Sequence, residues 1–236
     1  MKVVAIIQAR LGSTRLPGKV LLPLLGRPML EHLWERVSRA TRIQQVLVAV
    51  PMADYNGLRA VYIPFLDWCP YDGQEADLVG RYLYAATLHR ADVIVRVPGD
   101  NPCVDPAYVD QAVEYYENHP TLFYTNTTAY VRDRSVDGIG AEVLSVSRLR
   151  WLDQRTKGHA GWREHPHQYF VEALASVRQA ASIRLDVNTP ADYDFIRTIY
   201  EHFGHNRFTA EEVLTFLQGA RAVAPPPDPH GHLMPP

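Results

Sequence analysis

The sequence predicts an α/β fold built on a mostly parallel central sheet, and three observations carry that prediction. The apolar runs Val3-Val4-Ala5-Ile6-Ile7, Val46-Leu47-Val48-Ala49-Val50 and Val93-Ile94-Val95 are continuous rather than alternating, as strands covered on both faces must be. Between the first two lie a loop and then Met29, Leu30, Leu33, Trp34 and Val37 at helical spacing, so the chain opens as strand, loop, helix, strand, the beginning of a doubly wound sheet. The third is size: 236 residues, 47% apolar and 21% charged, suffice for one domain with a complete core and lack the composition of a disordered chain. The expected organisation is a single domain over 1–221 with a disordered, proline-rich tail over 222–236.

Taken in order, residues 3–8 form the first strand, and Pro28 occupies the first turn of a helix running to about Ala40. The second strand covers Gln45–Val50. Residues 51–72 are broken by Pro51, Gly57, Pro64 and Pro70, and only Ala60-Val61-Tyr62-Ile63 suggests a short strand. Leu78, Arg81, Tyr82, Ala85 and Ala86 mark a helix to about His89, and Val93–Val97 is the strand that ends in Pro98-Gly99-Asp100. Asp105 caps a helix over 106–118 that Pro106 starts. Thr121–Thr125 returns to the sheet, residues 126–140 form a polar loop, and Ala141–Val146 is again a strand. Ala181–Asn188 is the last strand, Thr189 and Pro190 begin a helix, and Thr209 with Glu212 forms the capping box of the final one.

The chemistry concentrates in Gln8-Ala9-Arg10-Leu11-Gly12-Ser13-Thr14-Arg15-Leu16-Pro17-Gly18-Lys19. Glycines let backbone approach phosphate oxygens, and exposed N–H groups with cationic side chains offset their charge. Gly12 and Pro17-Gly18 alone would be turn chemistry; Arg10, Arg15 and Lys19 directly after a buried strand point instead to a nucleoside triphosphate. The loop is not a P-loop, since five residues separate Gly12 from Gly18 and Val20 follows Lys19, and it lacks the dinucleotide fingerprint. A second candidate is Asp100, at the carboxyl end of a strand where open sheets bind ligands. A carboxylate crowded against a triphosphate requires a bridging cation, and magnesium is the natural one. Arg81 is either a ligand residue or, with Glu75 and Asp77, part of a solvated first helical turn.

The formal net charge is -2, which argues against bulk nucleic-acid binding. Its distribution is uneven: residues 1–42 carry Lys2, Arg10, Arg15, Lys19, Arg27, Arg36, Arg39 and Arg42 against Glu31 and Glu35, which suits a small anionic ligand. Cys69 and Cys103 make neither a disulfide framework nor a zinc pattern, and the spacing of His159, His165 and His167 does not build a metal site. With no signal peptide and no membrane-length apolar run, the expectation is a cytoplasmic protein without membrane partners.

The run Gln8–Leu21, followed by Gly26-Arg27-Pro28-Met29-Leu30-Glu31-His32, resembles the opening of the cytidylyltransferases, which include the CMP-Kdo and CMP-sialic acid synthetases, and in particular their SpsF-like branch named for spore-coat polysaccharide synthesis. Later stretches extend the resemblance over most of residues 1–203, weakly in the middle. It implies a Rossmann-like three-layer, GT-A-like fold of the nucleotide-diphospho-sugar transferases. It also implies magnesium-dependent transfer of CMP from CTP to a sugar hydroxyl, with a sugar acid as acceptor, release of pyrophosphate, and a homodimer. On that reading Gln8, Ala9, Arg10, Gly12, Ser13, Thr14, Arg15, Lys19 and Arg81 bind nucleotide, and Arg15, Lys19 and Asp100 are catalytic.

Gly99-Asp100-Asn101-Pro102 resembles the family's metal-binding strand end. Where the family has a second metal-binding aspartate this chain has Asn188, so the role passes to Asp186, two residues earlier, or stays with the Asn188 amide oxygen. Asp137, before Gly138, and Glu142 stand where the family meets its acceptor; Glu142 is alternatively a plain edge-strand glutamate. Arg163-Glu164-His165 resembles a stretch on the acceptor side or at a subunit contact. The rival readings are a sugar-1-phosphate nucleotidyltransferase, a glycosyltransferase of the same fold, and a nucleotide-binding domain without turnover.

Overall fold

The computed structural model describes residues 1–60, 66–119, 124–132, 134–166 and 182–223. The central sheet is formed by β1 (Val3–Gln8), β4 (Gln45–Pro51), β5 (Asp67–Tyr71), β6 (Val93–Pro98), β7 (Tyr124–Thr125) and β10 (Glu142–Ser145). Its order is β5-β4-β1-β6-β10-β7. The first four are mutually parallel; β10 runs antiparallel to β6, and β7 to β10. Strand side chains alternate between faces. Val3, Ala5 and Ile7 therefore pack with α1 (Met29–Ser38) and α4 (Pro106–Asn118), while Val4 and Ile6 pack with α3 (Leu78–Leu88) and α5 (Val146–Arg155). Helix, sheet and helix make the three layers expected of the sequence.

A second, smaller body covers one end. The short strands β2 (Pro23–Leu24) and β3 (Arg27–Pro28) pair with each other, and β8 (Thr128–Val131), β9 (Arg134–Asp137) and β11 (Ile183–Arg184) form a three-stranded sheet. These pack with α7 (Pro190–Phe203) and α8 (Ala210–Val223) around Leu24, Val136, Ile199, Tyr200 and Phe208. Arg36, fully buried on α1, ties the two bodies together. Its guanidinium donates to the carbonyls of Val104 at 2.6 Å, Asn206 at 2.7 Å and Phe208 at 2.9 Å, and lies 4.3 Å from the Phe208 ring centroid. Three fixed acceptors in a fan are what a planar guanidinium can satisfy and a lysine cannot.

Several expectations hold and some are corrected. Asp105 caps α4 with Pro106 inside it, Thr189 and Asp192 form a capping box on α7, and Thr209 with Glu212 does the same for α8. Pro28 stands just outside α1, as its N-cap, with ψ 140°. Within 51–72 the described residues are not irregular: they hold α2 (Met52–Ala60) and β5. Pro70 is tolerated there because β5 is the sheet edge, where a missing N–H removes no ladder bond. Ala60 belongs to α2, and the rest of the short strand expected at 60–63 lies outside the described residues. Residues 126–140 are the β8–β9 hairpin rather than a loop, and the strand expected over 181–188 is reduced to Ile183–Arg184. The tail over 224–236 also lies outside the described residues, and α8 continues to Val223. Cys69 and Cys103 are free and buried. Among the described residues no helix is long and apolar enough to cross a membrane.

The turn after β6 depends on a missing side chain. A Cβ on Gly99 would stand 2.1 Å from the Gln8 carbonyl oxygen, a contact with backbone that no rotamer relieves. Gly99→Ala is expected to destabilise the fold by about 1–3 kcal/mol, measured as a shift of the urea midpoint. An unchanged midpoint would show that the ends of β1 and β6 separate freely.

Candidate active site

The loop after β1 leaves the sheet at Ala9 and folds back on itself. The N–H groups of Ser13 and Gly18 donate to the Leu11 carbonyl at 2.9 and 3.0 Å, and the Leu11 N–H donates to Asp54 at 2.8 Å. Gly18, at φ 67°, supplies the left-handed residue that lets Lys19–Leu21 wind into a 3-10 turn. That turn aims Lys19 across the carboxyl end of the sheet. Its ammonium donates to Asp100 Oδ2 and to the Val187 carbonyl, both at 2.7 Å. Arg15 reaches the same segment, donating to the Asn188 Oδ1 at 2.6 Å.

These groups line one cleft of about 270 Å³ whose walls include Gln8, Ala9, Arg10, Ser13, Thr14, Arg15, Lys19, Arg81 and Asp100. Of the residues expected to bind nucleotide, Gly12 alone is absent from the wall. It serves the loop instead, because a Cβ there would come 2.7 Å from Glu75 Oε1. Glu75 in turn accepts from Arg10 at 3.1 Å, and Glu164 stands 3.8 Å from the same guanidinium.

Arg81 is not a solvated helix-face arginine. It is 1% exposed, its Nη2 donates to the Glu75 carbonyl, and its Nε and Nη1 have no hydrogen-bond partner. Burial lowers its pKa from the ordinary arginine value, opposed by the neighbouring Tyr82. Arg81 lines the cleft, while these two donor atoms are closed off from solvent, and a buried donor without a partner is uncommon. Asp77, which one of the two readings set in a solvated first turn, caps α3 through the Gly80 N–H at 2.9 Å and binds Arg163. Burial disfavours its charge, but the hydrogen bonds from Arg163 and Gly80 outweigh this and hold its pKa below the usual carboxylate value. Arg163 also bonds Asp153 at 2.9 Å, which fixes α6 (Ala160–Glu164) so that Glu164 and His165 enter the cleft wall. His167 lies outside the described residues.

Three expected site residues stand elsewhere. Asp186 is outside the cleft wall, held by Arg184 Nε at 3.0 Å and by the Asn188 amide; Asn188 is the member of the pair that enters it. Asp137 accepts from Thr128 Oγ1 at 2.7 Å and from the Gly138 N–H, within the small sheet. Glu142 is neither an edge-strand residue nor in the cleft wall. It lies on β10 between β6 and β7, paired with Arg96 and buried. Arg96 is the residue that sequence reasoning passed over, although a charged side chain inside the apolar run Val93–Val97 was its signal. It lines the cleft and donates to the Tyr82 hydroxyl at 3.1 Å. Burial works against its charge, and Glu142 with Tyr82 more than offsets this, raising its pKa.

The donor set fits a divalent cation shared with a polyphosphate. Asp100 brings a carboxylate and Asn188 an amide oxygen to one wall, and among the described residues no group of three or more His, Cys, Asp or Glu is placed to hold a metal. Magnesium is commonly bound in this way, by one or two carboxylates plus substrate phosphates.

A profile of the cytidylyltransferases matches residues 4–218. The chain belongs to the cytidylyltransferase family. It is thus a CTP-dependent nucleotidyltransferase. This cytidylyltransferase is 29% identical to the spore coat polysaccharide biosynthesis protein SpsF of Bacillus subtilis, over 90% of this chain and 92% of that one. It is 34% identical to the 3-deoxy-manno-octulosonate cytidylyltransferase of Trichlorobacter lovleyi over 140 residues, which cover 52% of this chain and 48% of that one. A solved cytidylyltransferase from Leptospira borgpetersenii superposes with a TM-score of 0.81 at 26% identity, covering 94% of this chain and 96% of that one.

Proposed function

We propose that this cytidylyltransferase transfers CMP from CTP to the hydroxyl of a sugar acid, releasing pyrophosphate and supplying a CMP-sugar for a surface polysaccharide or glycan. The observation that carries the reading is the pairing of Lys19 with Asp100 and of Arg15 with Asn188 across one cleft. Arg15 and Lys19 thus share a wall with Asp100, which supports reading the loop as a triphosphate site beside a metal-binding carboxylate. The curated 3-deoxy-manno-octulosonate cytidylyltransferase supports a sugar acid as acceptor.

Arg10, Arg15, Lys19 and the N–H of Thr14 hold the phosphates. Charge building on the departing pyrophosphate falls among donors already fixed by the loop, which stabilises the transition state without reorganisation. Asp100 and Asn188 would hold magnesium, whose charge would lower that of the α-phosphate and favour the attacking oxygen. Glu164 and His165, in the cleft wall but outside the phosphate loop, are the polar groups placed to meet the acceptor. Holding both substrates in line then contributes a large share of the rate. The enzyme acts in the cytosol as a homodimer, which light scattering would check.

The test is pyrophosphate release with each of the four nucleoside triphosphates and magnesium, across neutral sugars, sugar acids and sugar 1-phosphates. Release with CTP and a sugar acid is the expected result. Release only with sugar 1-phosphates, or consumption of a nucleotide sugar without pyrophosphate, would replace this reading with a different transferase.

A further inference from the structure

The α3 side of the cleft carries a chain of buried polar groups that the reaction does not consume. Strand register explains how they meet. Ile6 pairs with Arg96 and Arg96 with Glu142, so Arg96 and Glu142 share the face of Val4 and Ile6, and Gln8, two residues past Ile6, emerges on the same face at the strand end. Tyr82 comes to them from α3. The Arg96 Nη1 donates to Glu142, its Nε donates to the Tyr82 hydroxyl at 3.1 Å, and that hydroxyl donates to the Gln8 Oε1.

The direction of this chain is fixed by its charged end. A guanidinium only donates, so the Tyr82 oxygen accepts from Arg96 and its own proton must go to another acceptor. Tyr82 is 1% exposed, and its hydroxyl has Gln8 Oε1 to receive that proton. Burial pushes the phenol up to about 12, which keeps the proton in place. With Oε1 engaged by Tyr82, the Nε2 amide, a pure donor, is the end of Gln8 left for a ligand in the cleft that Gln8 lines. Arg81, another side chain that only donates, lines the same cleft. A ligand edge that satisfies these groups must present acceptors. Cytosine offers two adjacent ones, at O2 and N3, whereas uracil carries a hydrogen on N3 that would face a donor.

We propose that Gln8 distinguishes cytosine from uracil in this cleft, and that Tyr82, Arg96 and Glu142 are positioning residues that fix which end of its amide meets the base. The proposal rests on the reading that the cleft takes CTP. It makes base selection a property of hydrogen-bond direction, because an unmatched buried donor costs more than a matched one gains.

Binding of CTP and of UTP, each with magnesium, would be measured by calorimetry on the whole chain and on two variants. Gln8→Glu keeps an oxygen for Tyr82 and presents a second acceptor to the base. Its negative charge weakens both triphosphates alike, so the ratio of the two constants isolates base reading. Tyr82→Phe removes the bond that holds the amide and lets it turn; Gln8→Glu, at a partly exposed position, remains informative where the buried change perturbs folding. The expected result is a fall in the CTP:UTP preference of at least about tenfold in both variants, with Gln8→Glu moving furthest toward UTP. A merely structural role for Tyr82 would shift both constants together. Ratios within about twofold of the unaltered chain, with CTP still bound, would overturn the assignment while leaving the CTP reading intact. An unaltered chain that binds neither nucleotide would overturn the CTP reading and this assignment with it.

Discussion

Replacing Asp100 with alanine, or Lys19 with alanine, is expected to lower turnover by about 10³-fold, with the fold retained in both. The two side chains share one bond of 2.7 Å, with 12% of the lysine and 28% of the aspartate side chain exposed, and in the proposed reaction they serve different partners. Asp100 is the one carboxylate that the strand end brings to the phosphate loop, so its loss removes the anionic ligand that a cation bridging to the triphosphate requires. Lys19 is held between Asp100 and the Val187 carbonyl, aimed into the cleft by the 3-10 turn after Gly18. Its loss takes a fixed positive charge from the leaving group. Steady-state pyrophosphate release at saturating CTP measures both effects, and circular dichroism confirms the fold. Near-normal turnover in the two variants would place the chemistry elsewhere.

That the loop after β1 walls the cleft was legible because its message is local: three cations, two glycines and two hydroxyls stand in one run behind a buried strand. Asp100 was legible for a related reason, since a strand's carboxyl end is a known address in this architecture. Inference failed where it depended on long-range register. Asp186 and Asn188 share a face only if the strand continues, but β11 ends at Arg184, and Arg184 then turns its guanidinium onto Asp186. Prolines misled over residues 51–72, because Pro51 closes β4 and Pro70 lies on an edge strand, both places where the lost N–H costs little. Residues 126–140 read as a loop because β8 and β9 are short and only partly buried. Arg81 could not be told from a solvated arginine by helical spacing alone. It is buried on α3, where it bonds the Glu75 carbonyl.

Glu142→Ala is expected to destabilise the chain by about 3–5 kcal/mol, since it strands the Arg96 guanidinium in the interior with only Tyr82 as hydrogen-bond partner. The pair is buried on both sides, with side-chain exposures of 6% and 8%. Such pairs seldom raise stability over apolar residues of the same volume, because desolvation of two charges consumes most of their attraction. The double change Arg96→Met with Glu142→Leu is therefore expected to recover most of the loss in a urea titration. What it cannot recover is direction. Without a guanidinium forcing the Tyr82 hydroxyl to donate, the Gln8 amide has no imposed orientation, and preference for CTP over UTP should fall although the melting temperature returns. Recovery of both stability and preference would mean that the ion pair only fills space. Recovery of stability alone would show that this buried pair is kept for the polarity it transmits to the cleft.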